Sequence, residues 1–283
     1  MQLGIDIGGT YLRYELRDDT NHSVAKGVLE SSSIELSAFV AQMIEQESAI
    51  EYVFIAFAGQ VYDGKVIAAP HIQVKEQNIK AYIEKHYEGV TLFIENDLSC
   101  AVLAEAAFYK SRDLVALYVG TGLGMGVVSD GRVLKGSSHI AAEIGHIPYK
   151  KAPFVCSCGK SNCIELFTSG SALIRIKAYK NLDPSLQLQD LRKSSVVKER
   201  EIYEEFMEGL LHAVAIAITL CNPKVLVLGG GIVANDAEIY VDVQKDIKDY
   251  AMPLSLQNVE IVRSQLDDAS LEGAFLLKDS YVR

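Results

Sequence analysis

The sequence predicts an α/β protein of two domains, and two observations support this prediction. The chain contains a weak internal repeat of an apolar strand, a glycine-rich turn and a second strand. The repeat occurs at Gln2 to Arg17 and again at Leu114 to Val133. After each repeat, short apolar strands alternate with helical segments, as in α/β domains. With 283 residues and 49% hydrophobic content, two packed cores are possible. We place the domains at 1–111 and 112–268, with a final helix over 269–283 that can pack back on the first.

The first half is predicted to alternate between strands and helices. Apolar or alternating runs predict strands at 2–7, 11–17, 24–30, 51–56, 65–69 and 90–94. Apolar residues at helical spacing predict helices at 34–47, 78–87 and 98–109. The first two strands form a hairpin.

The tip of this hairpin is Gly8-Gly9-Thr10. Glycines there let backbone N–H groups approach an anion, and the Thr10 hydroxyl adds a donor. Asp6 lies at the end of the first strand, where a carboxylate can hold a hydrated magnesium ion. Taken alone, the stretch is also compatible with a tight hairpin that binds nothing.

Two other strand ends in the first half are candidate sites. Gly59 follows the strand at 51–56, and ligands bind beyond the carboxyl ends of strands in open α/β sheets. Asn96 and Asp97 follow the strand at 90–94. Asp97 has two interpretations of equal weight. It can cap the next helix, or it can take the proton of a hydroxyl group that attacks phosphorus.

The second half begins with a strand at 114–119 and a longer glycine-rich turn, Gly120 to Gly126. This turn can cradle a phosphate, although no Gly-Lys-Ser/Thr follows it as in a P-loop. A glycine-rich hairpin without a ligand is the alternative. A third glycine turn, Gly229 to Gly231, ends a buried strand and is suited to run alongside a bound adenine or ribose.

The remaining elements of the second half follow from the same patterns. A hairpin passes through Asp130-Gly131 within 127–133. The later strands are predicted at 224–228 and 259–262, and the helices at 166–179, 198–219, 236–250 and 269–278. The polar segment 181–195 is predicted to be irregular.

A cluster of metal-ligating residues follows the second hairpin. Its candidate ligands are His146, Cys156, Cys158 and Cys163. Four sulfur and nitrogen donors arranged as a tetrahedron suit a structural zinc ion. Glu143 and Glu165 flank the cluster, so we interpret the metal as folding a loop that points two carboxylates and one imidazole into a pocket for a polar ligand. A redox-active cysteine pair, or incidental cysteines, are the alternatives.

The composition limits the class of partner. Lys plus Arg total 27 against 37 for Asp plus Glu, and the resulting net charge of −10 disfavours nucleic acids and anionic membranes. The longest apolar run, Leu210 to Cys221, is too short to cross a bilayer. We find no secretory leader before the first strand. With the clustered cysteines, these features favour a reducing, cytoplasmic setting.

Together the motifs resemble the ROK family of sugar kinases, within the superfamily of actin, hexokinase and the heat-shock chaperone ATPases. The resemblance covers nearly the whole chain and rests on Gly4–Thr10, Glu95-Asn96-Asp97, Gly120–Gly126, Glu143–His146, Cys156–Glu165 and Gly229–Gly231. It implies an actin/hexokinase-like (ribonuclease H-like) fold with the active site in the cleft between two domains. Because family members are mostly dimers, it also implies a homodimer.

The resemblance also implies roles for individual residues. Asp97 would be the general base, and Asn96 would contact the sugar. Sugar hydroxyls would be bound by Glu143, His146 and Glu165. Zinc would be held by His146, Cys156, Cys158 and Cys163. The ATP phosphates would be held by Gly8, Gly9 and Thr10 and by Gly120, Thr121, Gly122 and Gly124.

Four positions depart from the usual family pattern. Tyr11 replaces a frequent lysine, Ala58 replaces a proline, and Ala142 replaces a glycine. Pro70-His71-Ile72-Gln73 replaces Pro-Asn-Leu-Pro in the loop on the sugar side. We therefore expect His71 to contribute to the choice of sugar.

The leading hypothesis is magnesium- and ATP-dependent phosphorylation of a hexose, either glucose, allose or an N-acetylated amino sugar. The alternative is a sugar-binding regulatory protein, either repressor-like or catalytically idle. A repressor would need an added N-terminal DNA-binding segment, whereas this acidic chain begins with a strand at Gln2. We expect zinc loss to weaken sugar binding more than ATP binding, because the glycine turns lie outside the zinc loop.

Overall fold

The computed structural model describes residues 1–69 and 72–281. Contacts divide the chain into two compact units. Within the described residues, unit one comprises 1–110, 132–141 and everything from 266 onward, and unit two comprises 111–131 and 142–265. Residues 132–141, which the sequence analysis assigned to the second domain, thus have most of their contacts in unit one. Strands and helices alternate in both units, which confirms the predicted α/β class.

Unit one contains a five-stranded sheet in the order β3-β2-β1-β4-β7. The strands of this part of the chain are β1 (Gln2–Ile7), β2 (Tyr11–Arg17), β3 (Ser23–Glu30), β4 (Tyr52–Phe57), β5 (Gln60–Tyr62), β6 (Lys65–Ala68) and β7 (Thr91–Asn96). β1 and β2 form the predicted antiparallel hairpin. β1, β4 and β7 are parallel, so their carboxyl ends meet at one edge of the sheet.

Within unit two, four strands lie side by side in one sheet in the order β9-β8-β11-β12. The later strands of the chain are β8 (Leu114–Val119), β9 (Leu123–Ser129), β10 (Arg132–Val133), β11 (Val225–Gly229) and β12 (Glu260–Arg263). The glycine-rich turn is shorter than predicted. Because Val119 pairs with Leu123, the turn contains only residues 120–122, and Gly124 lies within β9 opposite Tyr118.

The helices are α1 (Leu36–Gln46), α2 (Ile79–His86), α3 (Asp97–Phe108), α4 (Gly170–Tyr179), α5 (Leu188–Lys193), α6 (Val197–Cys221), α7 (Gly231–Asn235), α8 (Ala237–Asp246), α9 (Pro253–Leu256), α10 (Ala269–Phe275) and α11 (Leu277–Tyr281). α1 begins two residues later than predicted because the Glu35 side chain accepts hydrogen bonds from the first-turn amides. α4 likewise begins only after Ser169, which caps it.

One helix lies where the sequence predicts irregular structure. α5 occupies part of the segment 181–195, and its Leu188 and Leu191 are buried in the core of unit two. Gln187 and Asp190 form a capping box at its start. The segment is too short and polar for its two apolar residues to show a helical period, so packing and capping decide its structure.

Each unit has its own hydrophobic core. In unit two this core surrounds α6, which ends at Asn222 in the left-handed conformation, with φ of 43°. Across the described ranges, no helix has an apolar stretch long enough to cross a membrane.

Candidate active site

The carboxyl edge of the unit-one sheet gathers four of the predicted site residues. Asp6 lies near the end of β1, Gly59 follows β4, and Asn96 and Asp97 lie where β7 passes into α3. Ile7, Phe57 and Asn96 are aligned across the three parallel strands. His71 lies outside the described residues, so its predicted role in sugar selection stays a prediction.

Asn96 is the N-cap of α3. Its Oδ1 accepts hydrogen bonds from the amides of Leu98 at 3.0 Å and Ser99 at 3.1 Å. Its Nδ2 donates to the Gly59 carbonyl at 3.1 Å and to Asp97 Oδ1 at 3.0 Å. The amide thereby uses two donors and two acceptor positions inside the protein. This arrangement suits a residue that orients Asp97, and the predicted contact of Asn96 with a sugar stays a prediction.

Asp97 is the first residue of α3. Besides the Asn96 amide, its Oδ1 accepts the Leu98 N–H at 3.0 Å. Since Asn96 supplies the principal cap, Asp97 shares the capping role and is held in one orientation at the sheet edge. Its function as a general base stays a prediction.

Behind this segment lies a charge pair that the sequence analysis missed. Glu95 is only 2% exposed and forms an ion pair with Lys135. Its Oε1 also accepts the Asn96 N–H at 3.0 Å. The pair fixes the end of β7 just before the two site residues. No local pattern reveals it, because the two residues are 40 positions apart.

Asp6 is buried among other charged groups. Arg13 Nη1 lies 3.1 Å from its Oδ2, and Arg13 Nε lies 3.8 Å from Asp268. Burial, together with the negative charges of Asp268 and Asp97, raises the pKa of Asp6 from 3.8 to about 7. Arg13 opposes this rise. The sequence analysis identified neither Arg13 nor Asp268, which approaches Asp6 from the far end of the chain.

We predict that Asp6→Asn stabilises the ligand-free protein above pH 7. In the wild type, the stability contributed by protonated Asp6 is complete below about pH 4 and is lost as the pH rises through about 7. The shift from 3.8 to about 7 corresponds to roughly 4 kcal/mol. Asparagine cannot ionise, so the free energy of unfolding of the variant should rise relative to that of the wild type between pH 4 and pH 8. Urea unfolding in metal-free buffer at several pH values measures this difference.

Asp19→Asn provides the control for that series, because Asp19 is 89% exposed. A stability difference between Asp6→Asn and the wild type that is the same at pH 5 and pH 8 would contradict the prediction.

The first glycine turn closes β1 onto β2. Gly8 N–H donates to the Tyr11 carbonyl at 2.9 Å, and the Thr10 carbonyl accepts the Ser31 N–H at 2.9 Å. Gly9 and Thr10 are exposed at the tip. The tip therefore has the accessibility that the predicted phosphate contact requires.

The second glycine turn is held by two elements that follow it in the chain. Glu165 Oε2 accepts the Leu123 N–H at 3.0 Å. The amides at the start of α4 also donate to the turn, with Gly170 to Gly120 at 2.8 Å and Ser171 to Thr121 at 3.1 Å. A Cβ atom on Gly122 would lie 2.7 Å from the Glu165 carboxylate, so this approach requires glycine. Glu165 thus supports the glycine turn 120–122, a role that the sequence did not predict.

The four predicted metal ligands come together in unit two. Their donor atoms, from His146, Cys156, Cys158 and Cys163, all lie within 4.8 Å of one another. Cys158 Sγ lies 3.3 Å from Cys163 Sγ, and Cys156 Sγ lies 3.5 Å from His146 Nδ1. Donors around a tetrahedral zinc ion are separated by about 3.3–3.8 Å. The cluster is therefore compatible with a structural zinc ion.

The local backbone also suits thiolate ligands. Gly159 has a φ of +87°, which allows the sharp turn behind Cys158. The Lys160 N–H donates to the Cys158 sulfur and lowers the pKa of that thiol. The thiolate, which is the form that ligates metals, is thereby stabilised at Cys158.

His146 presents its two ring nitrogens to different neighbours. Nδ1 faces the sulfur of Cys156, and Nε2 lies 3.9 Å from Glu143 Oε2. If Nδ1 ligates the metal, the proton must lie on Nε2, which then can only donate a hydrogen bond. Glu143 and His146 are connected by a 3-10 turn, Ile144–His146.

The residue before this turn is strained. Ala142 has a φ of +69°, in the left-handed region that costs a residue with a Cβ atom about 1–2 kcal/mol. Its carbonyl accepts the Ile144 N–H at 2.7 Å. The glycine expected at this position from the family resemblance would adopt this conformation without strain. Ala142 therefore strains the backbone next to Glu143.

A cavity of about 790 Å³ lies in unit two. It is lined by Gly120 and Thr121, by the start of α4, by Pro184 and residues 186–189, and by Gly231, Asn235 and Asp236. Gly230, beside it, has a φ of +87°, and a Cβ atom there would lie 2.5 Å from the Val119 carbonyl. Lys177 Nζ donates to the carbonyls of Pro184 at 2.6 Å and Leu186 at 2.7 Å, which holds the outer wall.

Comparison with solved structures identifies the fold. The structure matches the crystal structure of the ROK hexokinase from Thermus thermophilus with a TM-score of 0.80 at 24% identity, covering 98% of this chain and 99% of that one. This confirms the predicted actin/hexokinase-like fold. The ROK family model matches residues 2–280, so the chain belongs to the ROK family, as the motifs predict.

Two relatives of this chain have different functions. Glucokinase of Thermotoga maritima is 28% identical over 96% of this chain and 95% of its own length. The N-acetylglucosamine repressor of Escherichia coli O6:H1 is 30% identical over 76% of this chain, but over only 56% of its own length. Full-length similarity to a kinase supports the predicted class, a sugar kinase.

Proposed function

We propose that this protein transfers the γ-phosphoryl group of ATP to a hydroxyl group of a hexose. The observation that supports this most directly is the position of Asp97. It lies at the carboxyl edge of the unit-one sheet, Asn96 holds its Oδ1 at 3.0 Å, and its charge acts on Asp6. A carboxylate that is oriented before the substrate arrives meets the geometric requirement for a general base.

The nucleotide would occupy the cavity of unit two. The Gly120 N–H donates to the Gly122 carbonyl, so the N–H groups of Thr121 and Gly122 are the candidate donors to the phosphates. The glycines that follow β11 allow the nucleoside to approach the backbone closely. The exposed turn at Gly9 and Thr10 would provide further donors. ATP is also the substrate that the glucokinase relative suggests.

The sugar hydroxyls would be bound by groups with fixed donor or acceptor character. A carboxylate at Glu143 accepts hydrogen bonds, whereas His146 Nε2 donates when Nδ1 ligates zinc. Glu165 has one oxygen on the Leu123 amide, so only Oε1 remains for a hydroxyl. That oxygen lies 3.8 Å from Cys156 Sγ, close to the metal cluster.

Magnesium would be held at Asp6. Burial and the nearby negative charges of Asp268 and Asp97 raise the pKa of Asp6, and a bound cation would reduce the repulsion among these carboxylates. When bound, magnesium neutralises the charge that accumulates on the phosphoryl oxygens.

The proposed chemical step assigns each of these groups a role. Asp97 accepts the proton of the sugar hydroxyl as its oxygen forms a bond to the γ-phosphorus. The bond between that phosphorus and the β–γ bridging oxygen breaks, and ADP leaves with the electron pair. N–H donors of the two glycine turns stabilise the negative charge on the phosphoryl oxygens.

Glucose and N-acetylated amino sugars are the substrates that the relatives favour, and allose is a further candidate. A coupled assay of ADP release across a panel of hexoses and amino sugars tests the proposal. We expect at least one of these sugars to raise ADP release well above the rate without sugar. Calorimetric titration of the same panel, with and without ATP, separates binding from turnover.

The regulatory alternative predicts a different result in the same experiment. A repressor-like or idle member would bind a sugar in the calorimeter and release no ADP with any member of the panel. That outcome would overturn the proposed kinase activity. The 30% identity to the N-acetylglucosamine repressor is the observation that keeps this alternative open.

A further inference from the structure

Asp236 has one carboxylate oxygen with a structural role and one without. It is the N-cap of α8, and its Oδ1 accepts the Glu238 N–H at 3.2 Å. Its Oδ2 is buried and has no hydrogen-bond partner among the described residues. A buried carboxylate oxygen without a donor destabilises the fold, so the presence of one here needs an explanation.

The nearby cation does not satisfy this oxygen. Arg192 attracts Asp236 electrostatically, but its Nη1 lies 3.4 Å from both Glu238 and Asp242, with which it forms ion pairs. The Asp236 backbone is also fixed, because its N–H donates to the Ile232 carbonyl at 3.1 Å. The carboxylate is therefore held in place without a donor for Oδ2.

Asp236 lines the cavity of unit two together with Asn235 and Gly231. The same cavity is lined by Gly120 and Thr121 of the glycine turn, where the proposed function places the phosphates. Because a carboxylate repels phosphate, Asp236 cannot serve the phosphate part of the same ligand. Toward a nucleotide it can accept a hydrogen bond from an uncharged donor group of the nucleoside, such as a hydroxyl or an amino group.

We propose that Asp236 Oδ2 accepts a hydrogen bond from the nucleoside part of ATP, and that this bond selects the nucleotide. The inference rests on the proposed function, which places ATP in this cavity. The donor is either a ribose hydroxyl or the 6-amino group of adenine, which share the same chemistry. A nucleotide that lacks the donor leaves the buried oxygen unsatisfied and binds more weakly.

Nucleotide analogues test this proposal by calorimetry. The ligands are ATP, 2′-deoxy-ATP, 3′-deoxy-ATP and purine riboside triphosphate, which lacks the 6-amino group. We expect the wild type to bind one of the three analogues about ten- to a hundredfold more weakly than ATP, as for a hydrogen bond to a charged group. The identity of that analogue distinguishes ribose from base.

Asp236→Ser removes the carboxylate while serine keeps an oxygen that can cap α8. In this variant, ATP and the discriminated analogue should bind with equal affinity. If the Asp236→Ser protein does not fold, Asp236→Asn is used instead, because asparagine has the same shape as aspartate. Glu238→Gln is the matched control, because it removes a neighbouring negative charge that does not line the cavity, and it should keep the wild-type preference.

Three outcomes decide the proposal. Loss of discrimination in Asp236→Ser but not in Glu238→Gln supports it. Equal binding of all four nucleotides by the wild type overturns it, and so does a folded Asp236 variant with unchanged discrimination. If the wild type binds no ATP at all, the proposed function itself fails, which is a different result from ATP binding without discrimination.

Discussion

Asp97→Asn is expected to lower kcat by about 10²–10⁴, the usual cost of losing a general base. An asparagine oxygen can still accept hydrogen bonds from Leu98 N–H and Asn96 Nδ2, so the start of α3 should remain intact. Sugar affinity, measured by calorimetry, should therefore stay close to that of the wild type. The expected signature is a fall in kcat without a comparable fall in binding.

The control for this variant is Asp63→Asn, which removes an exposed carboxylate of unit one at a φ of +47°, a conformation that asparagine tolerates. This control should phosphorylate its best sugar at the wild-type rate. Near-parental turnover of a folded Asp97→Asn protein would show that another group accepts the proton.

Cys163→Ser is expected to reduce zinc content from one ion per chain and to lower thermal stability, because structural zinc stabilises the loop that holds it. Sugar affinity should fall by about tenfold or more, since the positions of His146 and Glu143 are lost together. Metal analysis, thermal unfolding and sugar titration measure these three effects.

The structure changes what we expect for the nucleotide. The sequence analysis predicts that ATP affinity is largely unaffected by zinc loss, because the glycine turns lie outside the zinc loop. However, Glu165 lies two residues after Cys163 and accepts the Leu123 N–H next to the turn 120–122, which is proposed to bind the phosphates. A disordered loop would release that bond, so ATP binding should weaken too, whereas adenosine, which lacks phosphates, should bind nearly as before.

Cys221→Ser is the matched control for this experiment, since Cys221 lies outside the metal cluster. It should keep zinc, sugar affinity and ATP affinity. Protein that contains no zinc when purified without chelator would contradict the prediction. So would a folded Cys163→Ser protein whose affinities for both ligands are unchanged.

The Glu165 contact gives the metal loop of unit two a second role. The loop supplies candidate sugar ligands, and through Glu165 and the start of α4 it also supports the turn at 120–122. A single structural element thus serves both substrates of the proposed reaction. Changes in the cysteine cluster are therefore expected to affect two binding steps.

The sequence by itself determined the features that depend on local spacing. The α/β class, the hairpin of β1 and β2, the donor set of the metal cluster and the glycine turns follow from short-range patterns, because strand alternation and turn formation involve residues close together in the chain. The edge that gathers Asp6, Gly59 and Asp97 is also predictable, since the carboxyl ends of neighbouring parallel strands form one edge.

Tertiary structure alone decided the contacts between distant segments. Asp268 raises the pKa of Asp6, Lys135 pairs with Glu95, and Glu165 binds the Leu123 amide. The unsatisfied Oδ2 of Asp236 is a result of the same kind, because burial and the absence of a donor depend on every neighbour of that atom. Such contacts depend on how side chains from separate elements pack, and hydrophobic patterns specify which face of an element is buried but not which polar atoms meet there.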